Sequence, residues 1–182
     1  MMKKVTKINS KKFIKKRLMF SIAEDSYFLT YNIILILGLL KCTDNKYLKD
    51  SNKIALLITI IEKPKNIEVV KKVLKDEKIN DYDKNILFDM YYNSKLRIRS
   101  LTSIIFSLNK KQIINVRKSG KTIDISLTNN NVYENFIDKK LFEDDVQVYE
   151  DIFLNVGKIK QIINDTFNNI IFKSIREDVW DI

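Results

Sequence analysis

The residues most able to do chemistry in this sequence are its cations, and they come in two blocks. Residues 1–23 carry eight basic and no acidic side chains, and so do residues 90–123. Between them, residues 24–89 balance to zero, and residues 124–182 hold twelve acids against six bases, within an overall charge of +10. Long stretches free of acids are electrostatic footprints for a polyanion or an acidic protein. In the second block the candidate nucleic-acid contacts are Lys95, Arg97, Arg99, Lys110, Lys111, Arg117, Lys118 and Lys121. In the first they are Lys11, Lys12, Lys15, Lys16 and Arg17 of a basic N-terminal arm. Arginine can read guanine edges, whereas lysine mostly supplies sequence-independent attraction to phosphate. A simpler account runs beside this one. The chain is rich in Lys, Asn and Ile, as an AT-rich coding sequence gives, and part of its surface lysine is then compositional drift.

Catalytic chemistry is poorly represented. There is no histidine, which removes Ser-His-Asp and Cys-His arrangements and most zinc sites. Cys42 is the single cysteine and reads as a small core residue. Three glycines and one proline leave no phosphate-cradling loop. Two fragments match the nuclease-like pattern D-x-K, Asp76-Glu77-Lys78 and Asp138-Lys139-Lys140, but neither falls on a strand that could converge carboxylates on a divalent ion. The expectation is a non-enzyme with no cofactor and no metal; a divergent metal-dependent nuclease is the weakest rival. The apolar run Ile33 to Leu40 is too short to span a bilayer, and one unpaired cysteine fits a reducing interior, so the expected location is the cytoplasm, with no membrane partner.

The elements that must position these cations are mostly helical. An apolar helix runs from Tyr27 to about Lys41 with Ser26 as cap, and its Gly38 permits a close helix contact. A second helix runs from Asp50 or Ser51 to Ile61, and a third from about Asn66 to Lys75 with Ile67, Val70 and Leu74 inward. A fourth starts near Asp81 or Asp83 and is interrupted at Asn93 and Ser94. A fifth, about Lys95 to Asn109, carries Leu96, Ile98, Leu101, Ile104, Ile105 and Leu108 on its apolar face, with Phe106 read as core. The period then changes to two. Ile113, Ile114 and Val116 form one strand, Lys118 to Lys121 a turn, and Ile123, Ile125 and Leu127 a second strand. Residues Val132 to Phe142 form another helix, and a long C-terminal helix runs from Asp144 or Asp145 to about Arg176, with Gly157 its weak point and Trp180 packing back.

The expected fold is therefore mainly α: a basic arm over 1–23, a helical domain over 24–128, and a C-terminal helical segment over 129–182. Within the domain, a basic amphipathic helix followed at once by a β-hairpin is the signature of a winged-helix-like unit. In DNA-binding versions of that unit the helix enters the major groove and basic wing residues touch phosphates.

Three stretches, "SYFLTYNIILILGLLK", "DSNKIALLITIIEKP" and "LRIRSLTSIIFSLNKKQIINV" running into "TIDISL", together resemble the middle components of bacterial ABC-three-component systems. These are the small accessory subunits of Lamassu-type anti-phage defence. The resemblance covers roughly residues 26–128 and is one of helix order and apolar spacing. It implies a non-catalytic bridge or regulator beside an SMC-like ATPase and an effector, often a nuclease; the basic blocks add double-stranded DNA as a further expected partner. The rival of a different class is a stand-alone winged-helix transcriptional regulator, which would dimerise and bind a specific sequence unaided.

Overall fold

Ser26–Leu39 (α1) is the centre around which the other elements are laid, in a computed structural model that describes residues 26–136 and 143–175. From Phe28 to Leu37 all but Thr30 are buried, so this helix shows no polar face. Asn32 is the buried exception, and it is paired in both directions. Its side-chain amide donates to the Phe28 carbonyl at 2.9 Å, and its oxygen accepts from the Tyr149 hydroxyl at 2.8 Å. Gly38 meets the expected close contact: a Cβ there would overlap the Tyr133 ring.

Lys53–Glu62 (α2) is buried along nearly its whole length rather than on one stripe. Lys63 takes the extended backbone that a residue preceding proline favours, and Pro64 then opens Pro64–Leu74 (α3) at its first turn. Its inward residues are Asn66, Val69, Val70 and Val73, with Ile67 and Leu74 only half-buried. The face is thus rotated from the expected one, because Asn66 is drawn inward to donate to the Thr59 carbonyl at 2.7 Å.

Asp81–Lys110 (α4) is one continuous helix of 30 residues, which corrects the expected interruption at Asn93 and Ser94. Ser94 does not break it, since its hydroxyl bonds back to the Tyr91 carbonyl at 2.8 Å and is buried against neighbouring elements. The start is fixed by a capping box. The Asp83 amide donates to the Asn80 side chain at 2.8 Å, the Asp83 carboxylate accepts from the Asn80 amide, and Lys72 pairs with that carboxylate at 2.9 Å. The Lys72 bond and the Asn80 amide hold the Asp83 carboxyl below its ordinary pKa.

Helix α4 leads directly into Ile114–Ser119 (β1) and Thr122–Leu127 (β2), antiparallel with Ile114 opposite Leu127 and Ser119 opposite Thr122. Gly120 opens the two-residue loop at φ 61°, a conformation glycine supplies without a Cβ clash. The outer edge of β2 is covered by the connection between α1 and α2. Leu48 and Ile125 exchange backbone bonds, the Ser51 amide donates to Ile123, and the Leu127 amide donates to Cys42. The protein is thus mainly helical with one small two-stranded sheet, and it contains the expected helix-plus-hairpin unit.

The C-terminal part departs from expectation. In place of one long helix to Arg176 there are Glu143–Val156 (α6), Asn164–Ile171 (α7) and a 3-10 turn at Lys173–Ile175, after a short Asn130–Phe136 (α5). Gly157, at φ 60°, ends α6. The break has a tertiary cause: the carbonyls of Ile159 and Ile162 are taken by the side chain of Lys53, and the first amide of α7, on Asn164, donates to Asp50 at 2.9 Å. A single core spans α1 to α7, including Tyr149, Ile152, Phe167 and Ile171. Trp180 and the end of the expected 132–142 helix beyond Phe136 lie outside the described residues.

Candidate nucleic-acid interface

The eight cations of the 90–123 block do not form one surface. Arg97 is drawn into the fold. Its guanidinium is 9% exposed, bonded to both Glu62 oxygens at 2.9 and 3.0 Å and to the Thr59 hydroxyl at 2.6 Å. A fork bonded to two partners and so nearly buried holds α4 against α2 and presents little surface to a phosphate. Arg117 is half-committed. One nitrogen bonds the buried Asp124 carboxylate at 3.0 Å, and its guanidinium lies 4.2 Å from the Tyr47 ring centre, yet the side chain stays 56% exposed. Lys95 leans over the Tyr91 ring at 5.3 Å.

The remaining five, Arg99, Lys110, Lys111, Lys118 and Lys121, are exposed and have no ion-pair partner among the described residues. Four of them lie on the helix-plus-hairpin unit, two at its base and two at its tip. Lys110 and Lys111 close α4, where cations also complement the helix dipole, and the hairpin they lead into carries Lys118 and Lys121 at its tip. Lys118 stands on the same face of the hairpin as Val116 and Ile125 but beyond the core, opposite Ile123. Lys11, Lys12, Lys15, Lys16 and Arg17 lie outside the described residues.

One expectation changes here. Phe106 is not a core residue: it is half exposed on the outward face of α4. Cys42 is buried as expected, and burial pushes its thiol up to about 11, so the nucleophilic thiolate is scarce at neutral pH. Asp76, from the first D-x-K fragment, sits in the turn after α3 and pairs with Lys173, while Asp138 lies outside the described residues. Among the described residues no group of three or more Cys, Asp and Glu side chains gathers as a cation site.

The cluster that the sequence did not announce is internal. Lys53 has no exposed surface and bonds the Ile159 carbonyl at 2.6 Å as well as that of Ile162. Burial lowers its ammonium to about 8, although Asp50 opposes the shift. Asp50, at φ 56°, donates its amide to Asp124 at 3.1 Å and caps α7 through Asn164. Lys53, Asp50 and Asp124, with Arg117 at the rim, therefore fasten the α1–α2 connection, the hairpin and the α6–α7 connection to one another. The available signal was a lone lysine at the head of the apolar run "KIALLITII". This hub sets the hairpin's position, and so the position of its basic tip.

No family model matches the chain, and neither does any curated protein or solved structure. Among the described residues no helix is long and apolar enough to cross a membrane.

Proposed function

We propose that this protein is a cytoplasmic, non-catalytic accessory subunit that contacts DNA through the end of α4 and the hairpin. In the reading that its sequence resemblance favours, it serves an SMC-like ATPase complex with an effector subunit in defence against phage or plasmid DNA. The observation that carries the DNA contact is the set Lys110, Lys111, Lys118 and Lys121, exposed and unpaired on the helix-plus-hairpin unit. Charges left without acidic neighbours raise the local concentration of a polyanion and release its counterions on binding. The adaptor's contribution would be differential binding, favouring one state of the ATPase over another.

The test has two arms. Co-expression with the neighbouring genes, followed by capture of this chain, should retain a large ATPase. DNA binding by the chain alone should be weak and fall steeply with salt, and Lys118→Ala with Lys121→Ala should lower the slope of log affinity against log salt by about 2. Binding that ignores salt would remove the DNA contact. Tight, sequence-selective binding without a partner would replace the adaptor with the regulator.

A further inference from the structure

Helix α4 has a second face. Its buried residues Asp83, Leu87, Met90, Ser94, Leu101, Ile105 and Leu108 lie on one side. On the opposite side, at about 100° per residue, a line of exposed residues runs the full length of the helix. It comprises Tyr82, Asn85, Asp89, Tyr92, Leu96, Arg99, Ser103 and Phe106, spaced alternately by three and four. That is the seam spacing of a coiled coil. Four of the six large apolar side chains that stand exposed among the described residues fall on it, with Leu96 77% and Phe106 50% exposed. Asp89 and Arg99 have no ion-pair partner among the described residues.

The order of residue types along this line is self-complementary when it is read against its own reverse. Laid antiparallel on a second copy, with the two-fold axis beside Ser94, Tyr82 faces the partner's Phe106 and Asn85 faces the partner's Ser103. In the same register Asp89 faces the partner's Arg99, and Tyr92 faces the partner's Leu96. Every layer matches: aromatic with aromatic, amide with hydroxyl, acid with base, aromatic with aliphatic. The two-fold repeats each pair, so one chain supplies both halves. The wider charge pattern runs the same way. The first turn of α4 carries Asp81 and Asp83, while the last ends in Lys110, with Lys111 just beyond. A parallel pairing would instead stack Asp89 on Asp89 and Arg99 on Arg99. Tyr82, Asn85 and Asp89 also border a groove of about 270 Å³ against the start of α3, beside which the partner's Phe106 would sit.

We infer that the exposed face of α4 is a self-association surface, on which a second copy of this chain packs antiparallel. The surface is modest. Aromatic side chains bury on the order of 200 Å² each, and those on this seam are already about half covered, so the dimer is concentration-dependent rather than permanent. The arrangement places the two basic hairpins at opposite ends of the helix pair, roughly 45 Å apart for 30 residues of helix. It also assigns Arg99 to the seam, away from the hairpin cations. The inference stands apart from the adaptor reading, and either can fail alone.

The experiment is sedimentation of the full chain across a concentration series, with charge reversal. Asp89→Arg alone sets Arg against Arg, and Arg99→Asp alone sets Asp against Asp; each should weaken association by about tenfold. The double reversal D89R/R99D regenerates the pair and should restore wild-type association. Orientation is read independently by mixing N85C chains with S103C chains under mild oxidation, where disulfides should join unlike chains. A chain that stays monomeric at every concentration, whether because another helix covers this face or because nothing does, overturns the inference. So does a dimer indifferent to both reversals, a double variant no better than the singles, or N85C chains that link to each other.

Discussion

Arg97 and Arg99 stand two residues apart in a stretch with no acidic neighbour, and the fold uses them oppositely. Arg97 turns inward to Glu62 and Thr59, while Arg99 stands in solvent with no ion-pair partner among the described residues. The same contrast separates two larger regions. Around Lys53 the charges are buried and each has partners in the chain. On the hairpin tip and the end of α4 they are exposed, with no ion-pair partner among the described residues. Charge count along a sequence therefore overstates the surface available to a ligand, because a buried ion pair and a free phosphate contact need the same residue types.

The largest test of that contrast is Lys53→Met. It leaves the carbonyls of Ile159 and Ile162 unpaired and Asp50 without its nearby cation, and should cost about 3–5 kcal/mol in denaturant unfolding. Next comes Arg97→Ala, which strands the largely buried Glu62 and should cost about 2–3 kcal/mol, whereas Arg99→Ala should stay within about 0.5 kcal/mol. If the two substitutions cost the same, the distinction between inward and outward cations fails. Gly38→Ala drives a methyl into the Tyr133 ring and should cost about 1–3 kcal/mol, or move α5 away from α1, which near-ultraviolet circular dichroism would report.

A smaller effect is in pH. Lys53 holds its proton to about 8 in the folded protein but to 10.5 when unfolded, so above pH 8 the unfolded chain binds more protons. Its contribution to stability therefore rises with pH, by about 1 kcal/mol between pH 8 and 9. The Cys42 thiol runs the other way. Its pKa rises from 9.0 to about 11 on folding, so the stability it adds is present at lower pH and is lost between those values. Subtracting the pH profile of Lys53→Met from that of the wild type should isolate the rising part, and a flat difference would show that folding does not lower the Lys53 pKa. The smallest stability effect belongs to Lys118→Ala with Lys121→Ala, within about 0.5 kcal/mol by thermal unfolding, although the pair should change DNA binding.

Much of this fold is legible in the sequence. The central apolar helix, the break at Pro64, the Asn80–Asp83 start of α4 and the hairpin with its Gly120 turn follow from local rules, because each rests on residues a few positions apart. What misled was also local. Asn93 and Ser94 look like a helix stop, yet Ser94 satisfies itself on the preceding turn and is buried by neighbours. Phe106 looks like core by type, but the inward positions beside it belong to Ile105 and Leu108. The candidate surface was legible as a list of cations and not as a place.

The sequence alone determined the helical class, the position of the hairpin and the exclusion of histidine-based chemistry, since composition and periodicity depend only on order along the chain. Only the tertiary structure decided which charges are structural and where the C-terminal helix ends. Lys53 is separated from Ile159 by 106 positions, and Asp50 from Asn164 by 114. A buried ammonium must find carbonyls and a helix start must find an acceptor, and no local pattern says which distant backbone will supply them.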